Sequence, residues 1–93
     1  KIQTTGAAWV RLYTDISNRT ADASRAEGVD PAAGAGVVAE VITTGAQTIL
    51  ISPGTLGFNN ESSPVTEIYA AVTNKTGSTA TITVTLTILK IEV

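Results

Sequence analysis

Trp9, Arg11 and Tyr13 occupy alternate positions of the stretch "GAAWVRLYT", and a strand sets all three on one face. An indole, a guanidinium and a phenol in a row are groups that stack on a sugar ring and hold its hydroxyls, which is the chemistry of a carbohydrate-binding face. The same row serves to fill a core or a subunit contact. A chain of 93 residues with four aromatic side chains needs them for packing, so burial takes precedence and the ligand face is the rival.

Asp15, Asp22, Glu27 and Asp30 gather in one long connection, with Arg19 and Arg25 among them. Oxygen-rich loops bind calcium, but spacings of seven, five and three fit no calcium-binding loop. The expectation is a loop tied down by ion pairs among Arg19, Asp22, Arg25 and Asp30, with no metal. Three Asn-x-Ser/Thr triplets, at Asn18, Asn60 and Asn74, fall in connections and read as turn chemistry ahead of glycan sites.

The chain has neither cysteine nor histidine. Thiol chemistry, disulfides, the common zinc sites and the usual neutral-pH general base are thereby removed. Glu40 and Glu67 are the carboxylates centred in strand patterns, and nothing in their spacing brings them together as a hydrolytic pair. No enzyme activity and no cofactor are expected. With 6 basic against 8 acidic residues there is no basic stripe for nucleic acid or an anionic membrane, and no apolar run approaches a bilayer span.

These side chains must be carried by strands. Sixteen threonines and a single phenylalanine suit half-buried pleated surfaces. Five strands are expected, over "GAAWVRLYT", "GVVAEVITT", "AQTILIS", "VTEIYAAVT" and the closing "TATITVTLTILKIEV". Thr44-Gly45 predicts a tight reversal between the second and third, and "NKTGS" a hairpin loop between the fourth and fifth, with Asn74 and Gly77 suited to positive backbone angles. Residues 14–35 read as an ordered loop with one turn of helix, the helical pattern lying between Arg19 and Glu27 before Gly28. "PGTLGFNNESSP" is expected to fold back so that Leu56 and Phe58 plug one end of the sheets. The fold class is all-β: one domain over residues 1–93, whether whole or part of a longer chain, built as a small antiparallel β-sandwich or jelly-roll-like barrel of at least five strands with two long loops.

The closing strand changes face. Ile82, Val84, Leu86 and Ile88 alternate with threonines, after which Leu89, Ile91 and Val93 carry the apolar side. A ribbon of period two cannot keep one face buried through that change. Either a bulge near Ile88 rotates the strand or its tail packs against something other than its own sheet; the expectation taken is that Ile82 to Ile88 fill the domain's own core while Leu89, Ile91 and Val93 meet a neighbouring subunit.

Two stretches, "GAAWVRLYTDISNRTADASR…DPAAGAGVVAEVITTGAQTILISPGTLGFN" and "YAAVTNKTGSTATITVTLTILKIE", resemble small β-domains in structural proteins of tailed bacteriophages, particularly marine and cyanobacterial phages. The resemblance covers nearly the whole chain, and "WVRLYTD…R…ADASR…DP" is its distinctive part. It implies a non-enzymatic virion component, such as a capsid decoration, fibre or tail part, on the exterior of the particle. It also implies a homo-oligomer, trimeric by analogy, with other virion proteins as partners and a host glycan as a further one. No site residues come with it. A carbohydrate- or receptor-binding module using Trp9, Arg11 and Tyr13, and a secreted surface-layer or filament subunit, are the alternatives.

Overall fold

Ile2, Gln3 and Thr4 alternate buried, half-buried and buried, enough for a short first strand that the sequence pattern does not announce. The computed structural model describes residues 1–51 and 54–89. Its strands are β1 (Ile2–Thr4), β2 (Ala8–Tyr13), β3 (Val37–Ile42), β4 (Gln47–Ile49), β5 (Tyr69–Asn74) and β6 (Val84–Leu86), with one short helix, α1 (Ile16–Ala21). They form two three-stranded antiparallel sheets, ordered β4-β1-β6 and β3-β2-β5. The chain is therefore all-β, with almost no helix.

The two sheets are halves of one bent ribbon. Ile2 pairs with Ile49 and Trp9 with Ile42, so paired residue numbers total 51 in both sheets as far as the register shift between Leu12 and Tyr13. The Thr43 amide donates to the Ala8 carbonyl at 2.8 Å, which keeps that total at the corner. On the other side the totals are 82 between β2 and β5 and 88 between β1 and β6. The difference of six is the extra length that the β5–β6 connection carries past the Thr5–Ala7 corner. Thr43 holds this corner: its Oγ1 accepts from the Ala8 amide at 3.0 Å and from the Thr4 hydroxyl at 3.0 Å, and donates to the Gly6 carbonyl at 3.1 Å.

β2 is buried at all six positions because both of its faces are covered. Ala8, Val10 and Leu12 join Ile2 in the core, with Val38, Val41, Ile68, Val84 and Leu86 packed around them from both sheets. The opposite face, Trp9, Arg11 and Tyr13, lies under the connection that follows β2. That connection starts with Asp15 as helix N-cap, whose carboxylate accepts from the Asn18 amide and, at 2.6 Å, from the Asn18 side chain. It ends at Gly36, where φ is +72° and an added Cβ would stand 2.4 Å from Asn18 Nδ2.

Several expectations need correction. The helix is Ile16–Ala21 rather than within 19–27, because Asp15 supplies a cap that the alanine-rich stretch lacks. Thr44-Gly45 does not close a hairpin: β3 and β4 belong to different sheets and continue along β2 and β1 in one register. "NKTGS" likewise joins two sheets. Gly77 takes a positive φ of 82°, but no described non-glycine residue does, so Asn74 instead holds the loop by side-chain hydrogen bonds to Thr76 and Ser78. The closing strand is Val84–Leu86, extended by the Thr87 amide donating to the Lys1 carbonyl at 2.9 Å. Ile82, Val84 and Leu86 pack on the core, whereas Ile88 is 69% exposed. Leu56 and Phe58, expected as a plug, are 79% and 62% exposed, since Gly54–Gly57 skirts the end of the sheets without entering between them.

Candidate functional site

The polar face of β2 and the loop above it form one buried network around Arg25. Its Nε donates to Asp22 Oδ1 at 2.9 Å and its Nη2 to Asp22 Oδ2 at 3.0 Å. The same guanidinium reaches β3, with Nη2 at 2.9 Å from Glu40 Oε2 and Nη1 at 3.2 Å from Glu40 Oε1, and its Nη1 also donates to the Val29 carbonyl at 2.7 Å. Glu40 Oε1 accepts from Trp9 Nε1 at 2.8 Å, and Asp22 Oδ2 accepts from the Tyr13 hydroxyl. All four carboxylate oxygens are thus occupied by donors.

Arg11 completes the cluster. Its guanidinium carbon lies 3.9 Å from the centroid of the Trp9 ring, that of Arg25 lies 5.5 Å away, and Arg11 Nη2 donates to Thr73 Oγ1 on β5 at 2.8 Å. Arg11 Nε is buried with no hydrogen-bond partner among the described residues.

The electrostatics follow from these contacts. Hydrogen bonds from Arg25 hold the carboxyls of Asp22 and Glu40 below the usual carboxylate range, against the opposing effect of burial. The two carboxylates push the Arg25 guanidinium further up. Burial, and then the bond to Asp22, raise the Tyr13 phenol above its ordinary value. A charged group whose two carboxylate partners have every oxygen satisfied clamps the loop to the sheet.

Trp9, Arg11 and Tyr13 are therefore brought together, but as a covered face: Trp9 is 5% exposed and Tyr13 is fully buried. The row is packed, which is the reading given precedence from the sequence, and the loop and two guanidiniums occupy the space that the rival reading gives to a sugar. Asp22 and Arg25 form an ion pair. Arg19 instead stands 6.0 Å over the Tyr69 ring, and neither it nor Asp30 enters an ion pair among the described residues. Glu27 pairs with Lys75, and no group of three or more potential metal ligands occurs among the described residues. Glu40 is the member that sequence reasoning did not place. Its signal was a carboxylate between Val38 and Ile42 on one strand face, which calls for a partner.

A second feature lies at the end of the sheets away from the Thr5–Ala7 corner. A cavity of about 380 Å³ opens there between the sheets, with Leu12, Val38, Ile68 and Leu86 on its walls and Leu56, Ile88 and Leu89 among its lining residues. Leu89 is 83% exposed; Ile91 and Val93, the other expected contact residues, lie outside the described residues.

Fold and site together define an all-β chain whose polar cluster serves its own loop. No family model, curated protein or solved structure matches it. No helix among the described residues is long and apolar enough to cross a membrane.

Proposed function

We propose that the chain is a non-enzymatic structural β-domain of a tailed-bacteriophage particle, a capsid decoration, fibre or tail component, acting by self-association and by contact with other particle subunits. The two sheets are read as the halves of a small antiparallel sandwich, open at the cavity end. The carrying observation is the apolar surface gathered there: Leu56, Ile88 and Leu89 are each more than two-thirds exposed beside an apolar cavity. Exposed apolar patches of this kind mark interaction sites. Burying these three side chains at a contact contributes roughly 5 kcal/mol before association entropy is subtracted. The resemblance of "WVRLYTD…R…ADASR…DP" to phage structural domains supplies the particle, and the threefold grouping common there makes a trimer the expected unit.

The test is the molar mass in solution, by light scattering across a dilution series, of the wild-type chain and of a variant carrying Ile88→Asp and Leu89→Asp. A stable multiple of the 9.5 kDa chain that falls on substitution, with the circular dichroism spectrum unchanged, supports the reading. A wild-type chain that stays monomeric, or an oligomer that ignores both aspartates, overturns the assignment of this end as a contact.

A further inference from the structure

β5 is an edge strand: α1 packs against it, but no strand among the described residues pairs with its outer side. In the β3-β2-β5 sheet it is the outer strand, six residues long, and "YAAVTN" contains no charge, proline or glycine. Proteins that stay monomeric blunt such edges with lysines, prolines, bulges or a covering loop. The remaining edges are less inviting: β4 and β6 have three residues each, and β3 carries Glu40.

Its hydrogen-bonding pattern can be read residue by residue. The Lys75 amide donates to the Ala7 carbonyl at 2.9 Å, and the register runs on from there through Trp9↔Thr73, Arg11↔Ala71 and Tyr13↔Tyr69. Residues 69, 71, 73 and 75 therefore turn their backbone groups toward β2, and Ala70, Val72 and Asn74 turn theirs outward. No described backbone group or side chain bonds to the main chain of Ala70 or Val72. Both residues are exposed, although their partners across the ladder, Leu12 and Val10, are core.

We infer that β5 pairs antiparallel with β5 of a second copy about a two-fold axis at Ala71. The inference rests on the self-association proposed above and names one of its contacts. With Ala71 opposite its own copy, Ala70 faces Val72 of the second chain in both directions, and the outward groups meet as hydrogen-bonded pairs. The same register sets Glu67 opposite Lys75 at both ends of the ribbon. Both are exposed, and they are the nearest charges flanking an otherwise neutral strand. The flanking charges are thus self-complementary under a two-fold operation, which a closed dimer contact requires. Lys75 already reaches Glu27 of its own chain, and an ammonium with three donors serves both carboxylates. The product is a continuous six-stranded sheet that leaves the cavity end free for another contact, so a threefold grouping there would become a dimer of trimers.

The chain lacks cysteine, so a single introduced thiol reports the register. Opposed residues of a non-hydrogen-bonded antiparallel pair have Cα atoms roughly 4.5 Å apart, within disulfide reach. Ala71→Cys should oxidise to a covalent dimer, and Thr73→Cys, two places off the axis, should not. Glu67→Lys, which turns two attractions into repulsions, should weaken the dissociation constant about tenfold and lower the mass-average molar mass measured by light scattering near that constant by about a quarter. Adding Lys75→Glu should restore it. Folding of each variant is checked by its thermal transition. An oligomer that persists in Glu67→Lys and gives no Ala71→Cys dimer overturns the β5 contact while self-association stands. A wild-type chain monomeric at every concentration overturns both.

Discussion

Arg25 joins three parts of the chain, donating to Asp22 in its own loop, to Glu40 on β3 and to the Val29 carbonyl. Replacing it with methionine keeps the length of the stem but leaves two carboxylates buried without their cation. That uncompensated charge should cost about 3 kcal/mol in urea unfolding. Trp9 is the single tryptophan, and loss of the clamp should move its emission to the red as water reaches the ring. Unchanged emission and stability would mean that the loop is held by its apolar contacts alone. The same groups set the pH response. The folded-state pKa values of Asp22 and Glu40 are depressed, so their stabilisation is complete above the unfolded carboxylate range near 4 and is lost as the pH falls through the folded values. Tyr13 is shifted the other way: above about pH 10 the unfolded chain sheds a proton that the folded one keeps, and stability falls. Melting temperature should therefore hold between about pH 5 and 9 and drop on both sides, with Tyr13→Phe delaying the alkaline loss. At this scale the sequence was partly legible. Asp22 and Arg25 lie three apart and read directly as a pair, whereas Glu40 could not be assigned to them, because that contact depends on how β3 and the loop meet in space.

Among the elements, the Thr5–Ala7 corner decides the topology. The Thr43 hydroxyl accepts two hydrogen bonds and donates one there while the chain passes from one sheet to the other. Thr43→Val keeps the shape and leaves the Ala8 amide without its acceptor and the Gly6 carbonyl without its donor, while the Thr4 hydroxyl keeps the Gly45 carbonyl, a loss of about 2 kcal/mol by chemical denaturation. A cost under 0.5 kcal/mol would show that the corner is held by packing on Gly6. The connection above β2 has its own lever in Gly36→Ala. Positive φ and a Cβ set against Asn18 should together destabilise by at least 1 kcal/mol and loosen α1, read as faster amide exchange at Asn18 and Arg19. The sequence placed five of the six strands, missing only β1, because alternation and β-branching act locally. It misplaced their connections because Thr-Gly or Asn-Lys-Thr-Gly-Ser marks only that the chain turns. Whether the turn closes a hairpin or carries the strand into a second sheet is settled by pairing along β1 and β2, which no short window contains.

As a whole molecule, the isolated chain exposes more than its size predicts. Its accessible surface is 6167 Å², against roughly 5,000 Å² for a folded monomer of 9.5 kDa. Large apolar side chains contribute to it, among them Leu50, Leu56, Phe58, Ile88 and Leu89. A 93-residue domain without disulfides has a small core to set against its chain entropy, so covering this surface should contribute to stability as well as to assembly. Folding and association would then be linked by mass action. The melting temperature should climb with protein concentration, by roughly 4 °C for each tenfold increase above the dissociation constant, and the slope should shrink in the Glu67→Lys and Ile88→Asp/Leu89→Asp variants. Differential scanning calorimetry over a hundredfold range of concentration reads this directly. A midpoint that does not move would mean that the two sheets and the Arg25 clamp suffice alone, and that the exposed apolar end is tolerated by a stable monomer.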